Sequence, residues 1–303
     1  MILRSLLRRP GAVQSLAGTP AKCVSPLFLR SLHVVPSLVN HQELEKNGIP
    51  GLLSPKGFKI AYTDYQQLMV DELNAATSGT TLEGQTPKSL VIELARNPTT
   101  AYSFNVASMA YNNHFFFRGI ATDPNVVSAP STDLLAAINS SFSSLDTLRE
   151  EFLATADAMF GPGFVWLVQL NDTARRPLRI LPTYLAGSPL SGAHYRRQSH
   201  DLTTHNPDSY QELNPVGAFG SAARRGAEKR EQKPLGGVDV VPLLCVNTWE
   251  HVWLHDYGVR GKMRFLEKWW EKINWNVVQE GATLQPSGQV KFNYGQAQNS
   301  FRA

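Results

Sequence analysis

The sequence predicts an α+β fold, in which an N-terminal helical hairpin domain is followed by a C-terminal domain with a small three-stranded antiparallel sheet flanked by helices. In the first half of the chain, apolar residues recur at helical spacing. In the second half, three short apolar runs rich in β-branched and aromatic residues have the composition of strands. The chain has 303 residues, of which 42 % are hydrophobic, so it can bury a sizeable core.

The N-terminal domain, 50–130, is predicted to contain two long helices with a shorter one between them. The segment AYTDYQQLMVDELNAAT places Tyr62, Tyr65, Met69 and Leu73 on one side of an amphipathic helix. SLVIELARN is the shorter helix, and SFNVASMAYNNHFFFRGI is the second long one. The dense aromatic end of the last segment requires burial.

The C-terminal domain, 140–280, begins with a helix for which Ser143 and Asp146 supply an N-terminal signal and Gly161 a stop. GFVWLVQL and LRILPTYL are predicted to be paired strands, and VDVVPLLCV a third strand. The third strand is expected to lead directly into a helix that contains both Asn247 and His251. RGKMRFLEKWWEKINW is the last strong amphipathic helix.

The first 33 residues have the composition of a mitochondrial presequence. The segment is basic, contains Leu and Ser, and has no acidic residue before Glu43. Cleavage near Leu32 would remove five of the 29 basic residues and none of the 25 acidic ones, so the net charge would fall from +4 to about −1. Bulk charge therefore does not indicate an extended RNA-binding face in the mature chain.

Two segments lie outside the predicted core. An inserted arm, 191–236, is polar and turn-rich, and a tail, 281–303, is basic and has no acidic residue. Contacts with protein or RNA partners are expected from the basic residues of these two segments, which are Arg224, Arg225, Lys229, Arg230, Lys233, Lys291 and Arg302. The alternative interpretation is that both charge runs are merely solvated.

Cysteine content and hydropathy restrict the compartment and the partners. The two cysteines, Cys23 and Cys245, exclude a disulfide framework, which suits a reducing compartment. No apolar run approaches the roughly 18 residues of a membrane-spanning helix, so no membrane partner is expected.

His114 and His251 are the candidate metal-binding residues, each in an aromatic helical segment. Asn247 lies four residues before His251, where an Asp would be a good second ligand and an Asn is a poor one. A buried histidine that stands alone is more often a core residue than a ligand, so the pattern by itself leaves both interpretations open.

Five motifs in order resemble the iron/manganese superoxide dismutase family. They are YQQLMVDELNAATSGT, YNNHFFF, MFGPGFVWLVQ, LAGSPL and the long C-terminal segment VPLLCVNTWEHVWLHDYGVRGKMRFLEKWWEKINW. The resemblance covers about residues 55 to 190 and 237 to 278, and it implies the same two-domain fold.

The resemblance also implies a metal site of three histidines and one aspartate. On this chain it assigns the second-helix histidine to His114 and the C-terminal histidine to His251. The aspartate position is held by Asn247, and the first-helix histidine position falls on Ala61. The tyrosine of the substrate channel falls at Met69 and the iron-type glutamine at Ala110.

A trivalent metal held by two neutral imidazoles and no carboxylate is strongly disfavoured in a buried site. The expectation is therefore no catalytic residue and no cofactor, with weak zinc or copper binding at His114 and His251 as the remaining alternative. The structural alternative is that the two histidines hydrogen-bond each other, a carboxylate or water.

The pattern of losses resembles the dismutase-like small-subunit proteins of the fungal mitochondrial ribosome. It implies a pseudoenzyme on the mitochondrial ribosome in the matrix, with small-subunit proteins and rRNA as partners. A heterodimer with a paralogous dismutase-like protein is also implied, with Glu250, Trp253, His255 and Tyr257 at the interface. The alternatives are a matrix dismutase with an atypical metal site, and a free regulatory or scaffold protein of the same fold.

Overall fold

The computed structural model describes residues 33–95, 97–123, 128–171, 176–190, 193 and 240–284. Its architecture confirms the predicted α+β fold, with a helical first half and a three-stranded antiparallel sheet flanked by helices in the second. The predicted arm lies outside the described residues except for Ala193, and so does the tail beyond residue 284.

The part of the first half that the structure describes contains five α-helices. They are α1 (His41–Asn47), α2 (Pro55–Phe58), α3 (Tyr65–Thr77), α4 (Pro87–Leu94) and α5 (Ala101–Arg118). Local sequence fixes two of the starts, because Ser54 and Thr86 each accept a hydrogen bond from the backbone three residues on and are followed by Pro. The predicted arrangement of two long helices around a shorter one corresponds to α3, α4 and α5.

A π-helical segment, Lys59–Asp64, joins α2 to α3. The predicted amphipathic helix therefore forms, but its first turns are wider than an α-helix. Ala61 and Tyr62 lie in this segment and are both fully buried. Single π-turns inside helices often occur at functional sites.

The described residues of the second half form five helices and three strands. The helices are α6 (Thr132–Phe142), α7 (Leu145–Ala158), α8 (Glu250–Tyr257), α9 (Lys262–Trp270) and α10 (Trp275–Gly281). The strands are β1 (Gly163–Leu170), β2 (Leu178–Tyr184) and β3 (Val240–Asn247). The predicted helix start at Ser143 is off by one residue, because the side chain of Ser144 accepts the hydrogen bond from the Thr147 amide.

The sheet has the order β2-β1-β3 with both pairs antiparallel. Trp166 at the centre of β1 faces Leu181 on one side and Cys245 on the other. A register shift lies next to the pairing of Val168 with Pro242, as expected because proline cannot donate to a strand ladder.

The sheet and the helices share one large apolar core, which includes Phe58, Phe116, Phe152, Trp166 and Trp269. A smaller cluster packs α3, α4 and α5 together around Leu73, Leu90 and Phe104. The described residues thus fall within one compact unit. The predicted division into domains 50–130 and 140–280 stays a prediction.

His33 is the last residue of the predicted presequence and the first that the structure describes. Its backbone amide donates to Asn74 Oδ1 at 2.7 Å, and Asn74 Nδ2 donates back to its carbonyl at 2.9 Å. His33 therefore belongs to the folded body, and the rest of the predicted presequence lies outside the described residues. Within the described ranges, no helix has both the length and the apolarity that crossing a bilayer requires.

Candidate functional site

Four elements meet where the resemblance places a metal centre. Ala61 comes from the π-helical segment, Asn113 from α5, Asn247 from the end of β3 and His251 from α8. Asn113 Nδ2 donates to the Ala61 carbonyl at 3.2 Å, and Asn247 Nδ2 donates to Asn113 Oδ1 at 3.1 Å. The prediction that Asn247 and His251 share one helix is wrong, because Asn247 is the last residue of β3 and α8 begins at Glu250.

Three side-chain amides, Gln66, Asn113 and Asn247, form a buried amide cluster, and each is at most 1 % exposed. Asn113 Nδ2 also donates to Gln66 Oε1 at 3.0 Å, and Gln66 Nε2 donates to the Ala110 carbonyl at 2.8 Å. Asn247 Oδ1 accepts from the backbone amide of Trp249 at 2.9 Å. Every nitrogen and oxygen of the three amides has a partner, so the amide cluster is satisfied without any charge.

His251 lies beside the amide cluster and is packed against Tyr65. The two rings stack with centroids 4.0 Å apart and planes 18° from parallel. Burial lowers the pKa of His251 to about 4 and raises that of Tyr65 to about 12. Nε2 of His251 is buried and has no hydrogen-bond partner among the described residues. The imidazole is therefore neutral at physiological pH.

His114 is turned toward a different part of the molecule. Tyr62 donates its hydroxyl proton to the Pro36 carbonyl at 2.7 Å, so Nδ1 of His114 must donate to the Tyr62 oxygen, 2.9 Å away. Burial, and secondly the charge of Arg118, lowers the pKa of His114 to about 4. The ring lines a cleft with Leu38, Phe117 and Arg118.

The second-helix ligand position was predicted at His114 and is therefore corrected to Asn113. No contact between His114 and His251 is present in the described structure, whereas Asn113 bonds directly to Asn247. Helical periodicity does not separate the two positions, because Ala110 and Phe117 beside His114 are as deeply buried as Met109 and Phe116 beside Asn113. Gln66 likewise had no signal in the sequence.

The donors at this site do not fit iron or manganese. One imidazole nitrogen remains, and the amide oxygens that could bind a cation already accept hydrogen bonds. In the part of the chain that the structure describes, no group of three or more His, Cys, Asp or Glu side chains could hold a metal. Carboxylates are the ligands that would offset the charge of a trivalent ion.

The predicted interface residues on α8 divide into two pairs. Glu250 and His255 are exposed. Trp253 is only 5 % exposed and donates its indole N–H to the Thr248 carbonyl, so it packs inside this chain and not on its surface. The half-buried Tyr257 donates its hydroxyl to the Leu52 carbonyl at 2.7 Å and thereby anchors the loop after α1.

The basic residues predicted to contact a ribosome all lie outside the described residues. They are Arg224, Arg225, Lys229, Arg230, Lys233, Lys291 and Arg302. Their contacts stay a prediction.

Comparison with known proteins identifies two kinds of relative. Residues 130–197 and 225–281 match the family of iron/manganese superoxide dismutases, C-terminal domain. Small ribosomal subunit protein mS43 of Schizosaccharomyces pombe is 30 % identical over 262 residues, which cover 84 % of this chain and 86 % of that protein. Small ribosomal subunit protein mS42 of the same organism is 30 % identical over 200 residues, 63 % of this chain and 71 % of mS42. The superoxide dismutase [Fe] of Escherichia coli K12 is 24 % identical over 233 residues, 77 % of this chain and 91 % of the enzyme.

Proposed function

Because the chain belongs to the iron/manganese superoxide dismutase family, and within it to the group that contains the small ribosomal subunit proteins mS43 and mS42, we propose that it is a structural component of the mitochondrial small ribosomal subunit. The observation that carries this proposal is the buried amide cluster. It fills the region of the family's metal centre with neutral, mutually satisfied groups. The fold is thereby retained without the donors that redox chemistry requires.

The chain is accordingly a pseudoenzyme with no resident cofactor. Superoxide removal needs a metal that cycles between two charges, and both its ligands and the groups hydrogen-bonded to them set that chemistry. Here Ala61, Asn113 and Asn247 occupy three of the four ligand positions, and none of them carries a charge. His251 alone offers a free ring nitrogen, which is too little to hold iron or manganese in a buried site.

Metal analysis tests the pseudoenzyme proposal. The mature chain is purified after expression in medium with added manganese or iron, and its metal content and superoxide removal are measured beside those of an active family member. We expect far less than one metal per chain and no activity above the background of the buffer. Stoichiometric iron or manganese together with activity would support an atypical dismutase instead.

The partner interface is proposed to lie around Glu250, where the chain exposes apolar side chains. Phe160 is 98 % exposed and Leu185 is 59 % exposed. The two are linked to α8, because Leu185 N donates to the Pro162 carbonyl at 3.0 Å and Trp249 Nε1 donates to the Leu185 carbonyl at 3.3 Å. Exposed apolar patches of this kind commonly mark protein interfaces. The occupant we propose is a paralogous dismutase-like protein in a heterodimer.

The localisation proposed is the mitochondrial matrix, on the ribosome. The basic, carboxylate-free N-terminal segment supports import into mitochondria. Depletion of the chain tests the role, with mitochondrial and cytosolic protein synthesis followed by pulse labelling. We expect mitochondrial synthesis to fall selectively, together with the amount of assembled small subunit. Sensitivity to superoxide with unchanged mitochondrial synthesis would contradict the ribosomal role.

A further inference from the structure

A cleft of about 420 Å³ lies between the loop 47–54, the end of α8 and one face of α9. Neither the amide cluster nor the proposed partner interface uses it. Arg264 and Lys268 of α9 line the cleft directly. The stem of Lys272 lies over Gly51, since a β-carbon built on Gly51 would be 3.5 Å from Lys272 Cε and 3.8 Å from Nζ. Three cations therefore surround one concave surface, which we call the basic cleft.

The loop that forms the wall of the basic cleft is fixed in place. Ile49 and Leu53 are joined by a β-bridge, and the Tyr257 hydroxyl bonds to the Leu52 carbonyl at 2.7 Å. Asp256 accepts from the backbone amide of Ser54 at 2.8 Å and from its hydroxyl at 2.6 Å. These bonds engage both carboxylate oxygens of Asp256 and hold it against the loop, where its negative charge offsets one of the three cations.

The remaining charges near the basic cleft leave it positive. Lys268 forms an ion pair with Glu271 at 3.0 Å, but the two side chains are 45 % and 57 % exposed. Such surface pairs contribute about 0 to 1 kcal/mol and are easily exchanged for another anion. Lys262 is a different case, because its Nζ donates to the carbonyls of Asp157 and Met159. It is therefore engaged away from the cleft.

We propose that the basic cleft binds the phosphodiester backbone of RNA through Arg264, Lys268 and Lys272. The inference rests on the proposed function, in which the RNA is that of the small ribosomal subunit. From Arg264 to Lys268 the helical rise is about 6 Å, roughly two phosphate steps along one strand, and Lys272 follows beyond the end of α9 at Trp270. The two leucines of the lining are buried, at 3 % and 4 % exposure, so large aliphatic side chains contribute little to the surface of the cleft. This favours a polyanion over the apolar core of a protein interface.

A charge-neutralising triple variant, Arg264→Gln/Lys268→Gln/Lys272→Gln, tests the inference in the full mature chain. The matched control, Lys88→Gln/Arg149→Gln/Arg179→Gln, removes the same charge from residues that do not line the cleft. Binding to a fluorescein-labelled mixed-sequence single-stranded RNA of about 20 nucleotides is measured by anisotropy between about 50 and 200 mM salt. Thermal melting confirms that both variants are folded.

At low salt, the triple variant is expected to bind the RNA at least about tenfold more weakly than the unaltered chain. The slope of its log affinity against log salt should be smaller in magnitude by about two. The control is expected to keep the slope of the unaltered chain. Glu271→Gln is expected to act in the opposite direction and tighten binding, because it frees Lys268. Equal slopes for the triple variant and the control would overturn the inference. Preferential binding of polyglutamate over RNA would also overturn the inference, because it would assign the cleft to an acidic protein segment.

Sedimentation separates this inference from the proposed function. If the unaltered chain travels with the small subunit while the triple variant and the control bind RNA equally, the basic cleft is not an RNA site and the ribosomal role stands. If the unaltered chain does not travel with the small subunit, the ribosomal role fails, and the salt slopes still decide whether the cleft binds RNA.

Discussion

At the scale of single residues, the buried amide cluster is a neutral substitute for a metal centre. A side-chain amide both donates and accepts, so Gln66, Asn113 and Asn247 satisfy one another and the adjacent backbone with no counter-ion. Histidine and aspartate at these positions would need a cation between them, because a buried carboxylate without a partner is costly. In the function proposed here, loss of the metal and loss of charge therefore belong to one physical change.

Truncation of Asn113 should destabilise the fold. Asn113→Ala leaves Asn247 Nδ2, Gln66 Oε1 and the Ala61 carbonyl without their partner, and each unsatisfied buried group costs about 1 to 3 kcal/mol. We expect the free energy of unfolding to fall by about 2 to 4 kcal/mol in urea titrations. Asn139→Ala, at an exposed position of α6, is the control and should change it by less than about 0.5 kcal/mol. Equal stability of the two variants would mean that the amide cluster does not hold the site together.

Acid should destabilise the fold through its two buried histidines. The folded-state pKa of His114 and of His251 is about 4, below the ordinary value of 6.5. Between pH 6.5 and 4 the unfolded chain binds protons that the folded chain does not, so stability is lost as the pH falls through this window. The loss should be at most about 3 kcal/mol for each histidine. Urea titrations at pH 7 and 5 measure this loss of stability. The His251→Gln variant should lose less stability between these two pH values than the unaltered chain. A wild-type stability that is flat over this range would contradict the buried, neutral assignment.

The same residues mark how far the sequence predicts the site. Ala61 and Asn247 both bond to Asn113, so the motif spacing assigned them to one site although the boundaries of their elements were misread. His114 was misplaced by one residue because two asparagines and a histidine adjoin in YNNH. Only the hydrogen bond from Asn247 to Asn113 distinguishes these positions. The role of Gln66 depends on a π-turn, which no sequence periodicity indicates.

At the scale of elements, α8 connects the two halves of the chain. Its Asp256 holds Ser54 at the start of α2, its Tyr257 holds the loop after α1, and its His251 stacks on Tyr65 of α3. All three contacts join positions about 200 residues apart in sequence. The junction between the halves is therefore built from side-chain contacts at both ends of α8.

Substitution of Gly57 tests this junction. A β-carbon on Gly57 would clash with the carboxylate of Asp256 and force it away from Ser54. We expect Gly57→Ala to lower the free energy of unfolding by about 1 to 3 kcal/mol, although alanine is the better helix former. Gly119→Ala is the control, because its nearest neighbour is a carbonyl oxygen at 3.4 Å. Calorimetry that shows Gly57→Ala to be as stable as the control would contradict the close packing of α2 on α8.

Charge at Phe160 should weaken association with the paralogous partner. The side chain is 98 % exposed in the loop after α7, so Phe160→Asp should leave the monomer folded. Loss of an aromatic anchor from an interface typically costs 2 kcal/mol or more, or about thirtyfold in Kd. Mass photometry of this chain mixed with the paralogous partner measures the change in Kd. Val39→Asp, at another exposed apolar position, is the control, and equal affinity of both variants would place the interface elsewhere.

Sequence periodicity predicted the elements unevenly. β1 was found without error because its apolar run is continuous and ends at glycine and turn residues. α6 was missed, although Leu134, Ile138 and Phe142 lie on one face of it, because its sequence is short and rich in small residues. The end of β3 was misread as helix, since Asn247 terminates a strand only in the context of its pairing with Phe164.

At the scale of the whole molecule, the apolar core of the fold is independent of the donors at the candidate metal centre. The sheet, α7 and α9 bury large aromatic side chains that depend on no metal. Folding can therefore continue to be stabilised by apolar burial after the ligands have changed. In the function proposed here, the surface is the functional part, with the region around Glu250 proposed for a protein partner and the basic cleft proposed for RNA.

Sedimentation of the native protein tests the central claim most directly. A mitochondrial extract is separated on a sucrose gradient in moderate salt, and this chain is quantified against small-subunit rRNA and a matrix superoxide dismutase. We predict that it travels with the small subunit in near-stoichiometric amount and is absent from the dismutase fractions. A single peak at the size of a free dimer would contradict the ribosomal role.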